Sequence, residues 1–359
     1  MLFEASADRS FFLSPVWVGA WMETFGASLN AEIVLFEDAT TVVGAVILVS
    51  GAGRGTRRLL RRLFLHTAGE PPSDTAFVEY VAPLSRDGWS DVVNDALRAL
   101  VTSRRWDELV LDGVTEANLI RFGLAGAETD IETQWRPTYY VDLARIRGQG
   151  QRYDAMLSRN TRSQLNRSLK LYAERGDPSI EFATRADEAR QFFRELETLH
   201  QARWEARGIA GSFASARWRE FHERVIARGI ESGAVQLVRL RVGSSTMGVL
   251  YNFVQDGVVS FCQSGLQYES DNRLKPGLVI HALVIQACMD RGFATYDLLA
   301  SGPEGSRYKE SLATDSATLG WTVIQRPTVR ARIFRGLRAV KRWLMSDGAA
   351  APLDERAEL

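Results

Sequence analysis

Apolar and polar residues change period several times along the 359-residue chain, and each change marks an element. Phe12, Val16, Trp17, Ala20, Trp21 and Phe25 recur mostly three to four apart, which predicts an amphipathic helix opened at Ser14-Pro15. AEIVLFED and TVVGAVILVS read as strands. Beyond a basic loop, FVEYVAP reads as a third. A helix near 89–103, the strand DELVLDGV, a short helix over 116–123 and the strand PTYYVDL follow, and RIRGQGQ (145–151) reads as a linker. The remainder opens with one helix from about 152 to 175. Then come the strand SIEFAT, helices near 187–206 and 215–229, and the strand VQLVRLRV.

Gly248–Leu312 carries the densest pattern. GVLYNFVQ (248–255) and VVSFCQSGLQ (258–267) are strands joined by Asp256-Gly257, a hairpin signal because both turn residues must take positive φ. YESDNRLKPG leads into the helix LVIHALVIQACMDRG. The strand TYDLLAS and a polar loop, GPEGSRYKESL, come next, with a last strand near TLGWTVIQ. A helix opened by Lys275-Pro276-Gly277 turns free backbone N–H groups and its positive dipole end toward the preceding loop. That suits a phosphate, although the same residues also serve as an ordinary helix start.

The two halves echo one another. LFEDATTVVGAVILV (35–49) and RLRVGSSTMGVLYNF (239–253) both read strand, polar turn, strand, with Gly44 and Gly248 in matching places. SRRWDELVLDG resembles MDRGFATYDLL, so Asp297 answers to Val110. The first half has no counterpart of Lys275-Pro276-Gly277 or of Tyr308-Lys309, which places the chemistry in the second half.

Composition narrows the class. An apolar share of 45% and a charged share of 25% are those of a soluble globular chain. Lys plus Arg (44) balances Asp plus Glu (44), so no global field attracts polyanions. Cys262 and Cys288 lie in apolar segments, which fits a reducing cytoplasm without a disulfide framework. No apolar run is long enough to span a bilayer, no basic region precedes FFLSPVW as in a signal peptide, and no Cys/His cluster has metal-ligand spacing.

Several residues are candidates on their own chemistry. Asp297 interrupts an apolar strand and is either an acid–base group or an ion-paired one. His200 borders the face made by Phe192, Phe193, Leu196 and Leu199, and is either a base or a packed core histidine. Arg203, Trp204 and a glycine-bearing loop with Phe213 follow it, a combination that can build an acceptor pocket. Gly265 permits a bulge or a close backbone approach, or is simply a strand glycine. On the 152–175 helix, Arg159, Arg162, Asn166 and Lys170 gather away from the stripe of Tyr153, Leu157, Leu165, Leu169 and Tyr172. They are either a solvated face or a wall for an anionic ligand. RGTRRLLRRLFL (54–65) and RPTVRARIFRGLRAVKRWL (326–344) mix arginine with apolar residues. The second is an amphipathic helix that could meet an anionic membrane or dock on its own domain, and the tail beyond it reads as disordered.

Two antiparallel strands followed by a loop and the Lys275-Pro276-Gly277 helix resemble the acyl-CoA half of GNAT acyltransferases. Together with Leu-Ser-x-Asn-x-Arg at 157–162, Arg203-Trp204, Gly211-Ser212-Phe213 and Tyr308-Lys309, the resemblance is to the CelD/BcsL (BioF2-like) branch, a relative of the FemAB peptidyltransferases. It implies an α/β fold of two GNAT-like halves, each a mixed, mostly antiparallel sheet flanked by helices, over nearly residues 10–325. The expected divisions are 1–148 (non-catalytic), 149–325 (catalytic) and 326–359 (basic helix and tail). It further implies an acyl-CoA co-substrate lying between the strands VVSFCQSGLQ and TYDLLAS. Gly265, Leu266, Gln267, Lys275, Pro276 and Gly277 would hold it. Lys309 would stabilise charge on the acyl carbonyl or hold a phosphate, and Tyr308 would donate to the leaving thiolate or pack on the donor. The acceptor is expected to be an amine or hydroxyl on a small or sugar-linked molecule of polysaccharide or envelope assembly. The usual GNAT signature Gln/Arg-x-x-Gly-x-Gly/Ala is absent apart from Gly277. An aminoacyl-tRNA donor, as in FemAB relatives, and a non-catalytic scaffold role therefore stand as alternatives.

Overall fold

The computed structural model describes residues 1–6, 8–52, 55–124, 129–302 and 305–346. The chain forms two compact units, one of Met1–Arg136 with the segment from Thr318 onward, the other of Pro137–Ala317. In chain order the elements begin with α1 (Pro15–Thr24), β1 (Ala31–Asp38), β2 (Thr41–Ala52), β3 (Arg61–Leu65) and β4 (Leu84–Ser85). Then come α2 (Ser90–Ser103), β5 (Glu108–Val114), α3 (Glu116–Phe122), β6 (Asp130–Asp142) and α4 (Leu143–Gly148). The middle holds α5 (Tyr153–Met156), α6 (Arg159–Ala173), β7 (Pro178–Phe182), α7 (Ala186–Glu205), α8 (Ala216–Gly229), β8 (Val235–Val242), β9 (Ser245–Gln255) and β10 (Val258–Leu266). The chain closes with α9 (Pro276–Asp290), β11 (Thr295–Ala300), α10 (Arg307–Leu312), β12 (Asp315–Gln325) and α11 (Val329–Ser346).

The internal duplication is visible in the strand registers. In the first unit β1 and β2 form an antiparallel hairpin in which Phe36 faces Gly44, with a register shift directly after Phe36. In the second, β8 and β9 do the same, with Leu240 facing Gly248 and a shift directly after Leu240. A third antiparallel strand follows in each, β3 or β10. A helix then leads to a strand parallel to it, β5 or β11. Val110 faces Phe64 where Asp297 faces Ser260. The flanking strands are exchanged between the repeats: β6 follows β5 in sequence but pairs with β11, and β12 follows β11 but pairs with β5. Each unit is thus a mixed, mostly antiparallel α/β arrangement with helices against it. In the second, α9 is buried along nearly its whole length, among Tyr153, Leu165, Leu250, Val259 and Tyr296.

Local chemistry accounts for four departures from the sequence expectations. FVEYVAP is not a strand, because Phe77 and Tyr80 take positive φ and the segment lies against Gly113 of β5, where a Cβ would sit 2.5 Å from the Val78 carbonyl oxygen. The single helix expected over 152–175 is two, because Leu157 and Ser158 are extended and the Ser158 hydroxyl accepts the Thr161 N–H to cap α6. Tyr308-Lys309 lies on a helix, α10, and not in a loop, because the Ser306 hydroxyl caps it through the Lys309 N–H. The stretch read as a linker contains α4, whose Arg147 guanidinium binds the carbonyls of Met289 and Phe293.

Candidate active site

Strands β10 and β11 run parallel for three pairs, Val258–Thr295, Val259–Tyr296 and Ser260–Asp297, and pair no further. The two strands between which the co-substrate is expected therefore part beyond this point, and both take part in making the opening. On β10, the register against β9 shifts between Phe261 and Gln263, a bulge at Cys262. On β11, the register against β6 shifts between Asp297 and Ala300, and Leu299 adopts φ of +59°. A left-handed leucine costs about 1–2 kcal/mol. Here the Asp297 Oδ1 holds it, accepting the Leu299 N–H at 2.8 Å and the Thr138 hydroxyl at 3.2 Å. Beyond the fork the Ser264 N–H donates not to a strand but to the neighbouring Gln263 Oε1, at 3.0 Å.

Helix α9 begins beside this opening. The Lys275 N–H donates to the Ser168 hydroxyl of α6, and no side chain caps the helix. Pro276 has no N–H, so the Gly277 and Leu278 N–H groups form the open end. A Cβ on Gly277 would lie 2.8 Å from the Tyr308 hydroxyl and 3.1 Å from Leu266 Cδ1. Tyr308 is 43% exposed, yet its hydroxyl is enclosed at the α9 start, and that enclosure pushes the phenol above its usual range and keeps it protonated. The buried Lys309 ammonium donates to the carbonyls of Leu299 (3.3 Å) and Ala300 (2.9 Å) and clamps the end of β11. His281 of α9 packs edge-on against Phe261 and Tyr308, with Nδ1 3.4 Å from the Tyr296 hydroxyl. Burial, then the Lys309 charge, lower its pKa to about 3, so it is neutral.

The other sequence candidates fall into three groups. Gly265 makes a close approach: an added Cβ would be 2.4 Å from the Leu196 carbonyl oxygen, so α7 packs directly on β10 there. Gln267 is exposed just past β10, with its N–H on the Met247 carbonyl. His200 is buried, accepts the Trp204 indole N–H on Nε2 and packs against Phe213. Burial lowers its pKa to about 4, and its lone pair is engaged, so in this arrangement it joins the 211–213 turn to α7. Arg203 stacks on Tyr268, its guanidinium carbon 4.0 Å from the ring centroid. Arg159, Arg162 and Asn166 line a shallow depression along α6 with Arg167 and Lys170, away from the buried residues Thr161, Leu165, Ser168 and Tyr172.

Ser168, Gln263, Thr138 and Leu299 also shape the site, and none was singled out from sequence. Ser168 continues the buried spacing of Leu165 and Tyr172, and Gln263-Ser264 interrupts an apolar strand, so both carried a readable signal. Thr138 and Leu299 carried none, because their roles depend on strands distant in sequence. In the first unit the matching fork is filled by the chain itself. Parallel pairing of β3 and β5 ends at Phe64–Val110, and residues 78–81 lie on Gly113, whose carbonyl accepts the Val81 N–H. Among the described residues no group of three or more His, Cys, Asp or Glu could hold a metal ion, and no helix is long and apolar enough to cross a membrane.

Comparison with known proteins agrees with this geometry. Residues 159–310 match the acetyltransferase (GNAT) domain family. No curated protein matches the chain. Among solved structures, FemX shares 9% identity, with 94% of this chain and 96% of FemX covered at a TM-score of 0.58. The C-terminal domain (DUF2156) of a putative lysylphosphatidylglycerol synthetase from Agrobacterium fabrum shares 10%, with coverages of 91% and 94% and a TM-score of 0.53. L-PGS from Bacillus licheniformis shares 11%, with coverages of 93% and 97% and a TM-score of 0.51. At such identities the likeness establishes the fold, while the family match reaches the site itself. Residues 159–310 therefore form an acyltransferase domain of the GNAT type, in a chain whose fold is similar to that of FemX over nearly its whole length.

Proposed function

We propose that this protein moves an acyl group from acyl-CoA to an amine, or less readily a hydroxyl, of a small or sugar-linked acceptor. The observation that carries the reading is the fork: parallel pairing stops at Ser260–Asp297 with the uncapped start of α9 beside it. The Gly277 and Leu278 N–H groups, with Lys275, suit the diphosphate. The open edge of β10, where Gln263 Oε1 now occupies the Ser264 N–H, suits the amides of the pantetheine arm. An amine attacking the thioester places charge on the carbonyl oxygen, and a β10 backbone N–H is assigned to stabilise it. The nitrogen gives up a proton, assigned to Asp297 at the fork. The departing thiolate takes one from Tyr308, whose enclosed hydroxyl at the α9 start stays protonated and so has a proton to give. Attack is direct, with no covalent enzyme intermediate. The sugar-linked acceptor rests on the finer resemblance to the CelD/BcsL branch, and a cytoplasmic setting on the two cysteines, Cys262 and Cys288, in apolar segments.

The test is isothermal titration with acetyl-CoA and free coenzyme A, on the wild type and Lys275→Ala. Micromolar, saturable binding that weakens in the variant is expected. No binding of acetyl-CoA or longer acyl-CoAs would overturn the reading. A second reading, an aminoacyl-tRNA donor, is favoured by one feature, the arginines and Lys170 along α6. It requires tRNA binding that falls steeply with salt.

A further inference from the structure

Two basic, apolar-rich stretches that lie far apart in sequence meet in the first unit. Helix α11 docks through Ala331 and Phe334, both buried, and the Arg57 guanidinium of the 55–59 turn lies over the Phe334 ring, 6.0 Å from its centroid. Docking consumes one side of the helix only. Val329, Ile333 and Leu337, spaced four apart, stay 71%, 52% and 53% exposed and form a stripe along another side. Beside the docked turn, Leu59 is 47% exposed and Arg58 is exposed too. At 100° per residue, Arg330 and Arg332 border the stripe on its two sides. Val329–Ser346 contains four arginines up to Arg338, then Lys341 and Arg342, and no Asp or Glu. In sequence the stripe spacing continues at Val340 and Leu344, whose side chains lie outside the described ones.

We propose that this face, α11 with Arg58 and Leu59, rests on an anionic lipid bilayer. A docked helix with a second apolar side has two demands, and packing against its own unit meets the first. An apolar partner protein would satisfy the stripe but not the arginines on both of its borders. A bilayer surface carrying acidic headgroups satisfies both, with the apolar side chains in the headgroup–acyl boundary and the guanidinium groups at the phosphates. The chain is neutral as a whole, so attraction comes from this local cluster and not from net charge. The inference concerns the first unit alone and holds whatever the second unit transfers.

The experiment is co-sedimentation of the full chain with phosphatidylcholine vesicles and with vesicles that also contain phosphatidylglycerol. Binding to the anionic vesicles only, weakened by salt, is expected. Arg58→Gln, Arg330→Gln and Arg332→Gln together should lower the partition coefficient by roughly two orders of magnitude, at about fivefold per arginine. Ile333→Ser with Leu337→Ser should abolish binding while melting temperature is kept, since both side chains are exposed and the docked Ala331 and Phe334 are untouched. Equal binding to both vesicle types, no binding to either, or anionic binding that survives the double serine variant would each overturn the proposal.

Discussion

Replacing Asp297 separates two tasks that the structure gives one carboxylate. Asp297→Ala removes the acceptor of the Leu299 N–H (2.8 Å) and of the Thr138 hydroxyl (3.2 Å). Asp297 and Thr138 are 5% and 1% exposed, so water does not replace the lost bonds freely. An abandoned buried donor costs about 1–3 kcal/mol. The Thr138 hydroxyl can rotate toward another acceptor, whereas the Leu299 amide cannot. The expected loss is therefore about 2–4 kcal/mol. The Leu299 N–H would then lose its anchor at φ of +59°, leaving only the Lys309 contact on the carbonyl side, and β11 would relax toward β10. Asp297→Asn keeps an oxygen in place of Oδ1, exchanges Oδ2 for an NH2 donor and removes the charge, at about 1–2 kcal/mol. Urea denaturation, acetyl-CoA titration and kcat with a working acceptor, measured on both variants, form the assay. Alanine should lose stability and donor affinity together. Asparagine should keep most of both and lose about 10²–10⁴ in kcat, the usual value of acid–base catalysis. An alanine variant as stable as the wild type would refute the pinning of the fork. A fully active asparagine variant would refute the proton assignment.

Two further expectations concern the fold, one in each unit. In the first unit Glu70 accepts the Trp21 indole N–H; burial, with smaller contributions from Asp112 and Asp74, raises its pKa to about 7 from 4.5. A raised carboxyl contributes stability that is complete below about pH 4.5 and lost as pH rises through 7. Glu70→Gln should therefore flatten the pH 5 to 8 stability profile and raise stability at pH 8 by up to about 3 kcal/mol. An unchanged profile in urea titrations would contradict it. Gly265→Ala would push a methyl to 2.4 Å from the Leu196 carbonyl oxygen, a backbone atom that cannot rotate away. A loss of about 1–3 kcal/mol is expected, against little change for Gly51→Ala, where nothing lies within 4 Å. Equal melting temperatures for the two would refute the close approach of α7.

What the sequence settled alone was local. Asp256-Gly257 fixed a hairpin, Ser14-Pro15 a helix start, and the repeated strand–turn–strand pattern gave a duplication that the registers at Gly44 and Gly248 repeat residue for residue. Such features depend on neighbours a few positions away, so periodicity and turn chemistry reveal them. Lys275-Pro276-Gly277 was legible as a helix start for the same reason, and Tyr308-Lys309 stood out through the family resemblance. Their meeting was not: that the Tyr308 hydroxyl lies over Gly277, and that Lys309 grips the end of β11, follows from how α9 and α10 pack on one sheet. The exchange of β6 and β12 between the repeats was equally hidden, because a strand's alternation states which face is buried but not which partner it takes. FVEYVAP shows the converse limit. Its residues favour a strand, yet the glycine at 113 opened a place where tertiary packing outweighed propensity, and the segment fills the fork of the first unit. The fork of the second unit stays open because a buried aspartate, distant in sequence from its Thr138 partner, holds one leucine left-handed.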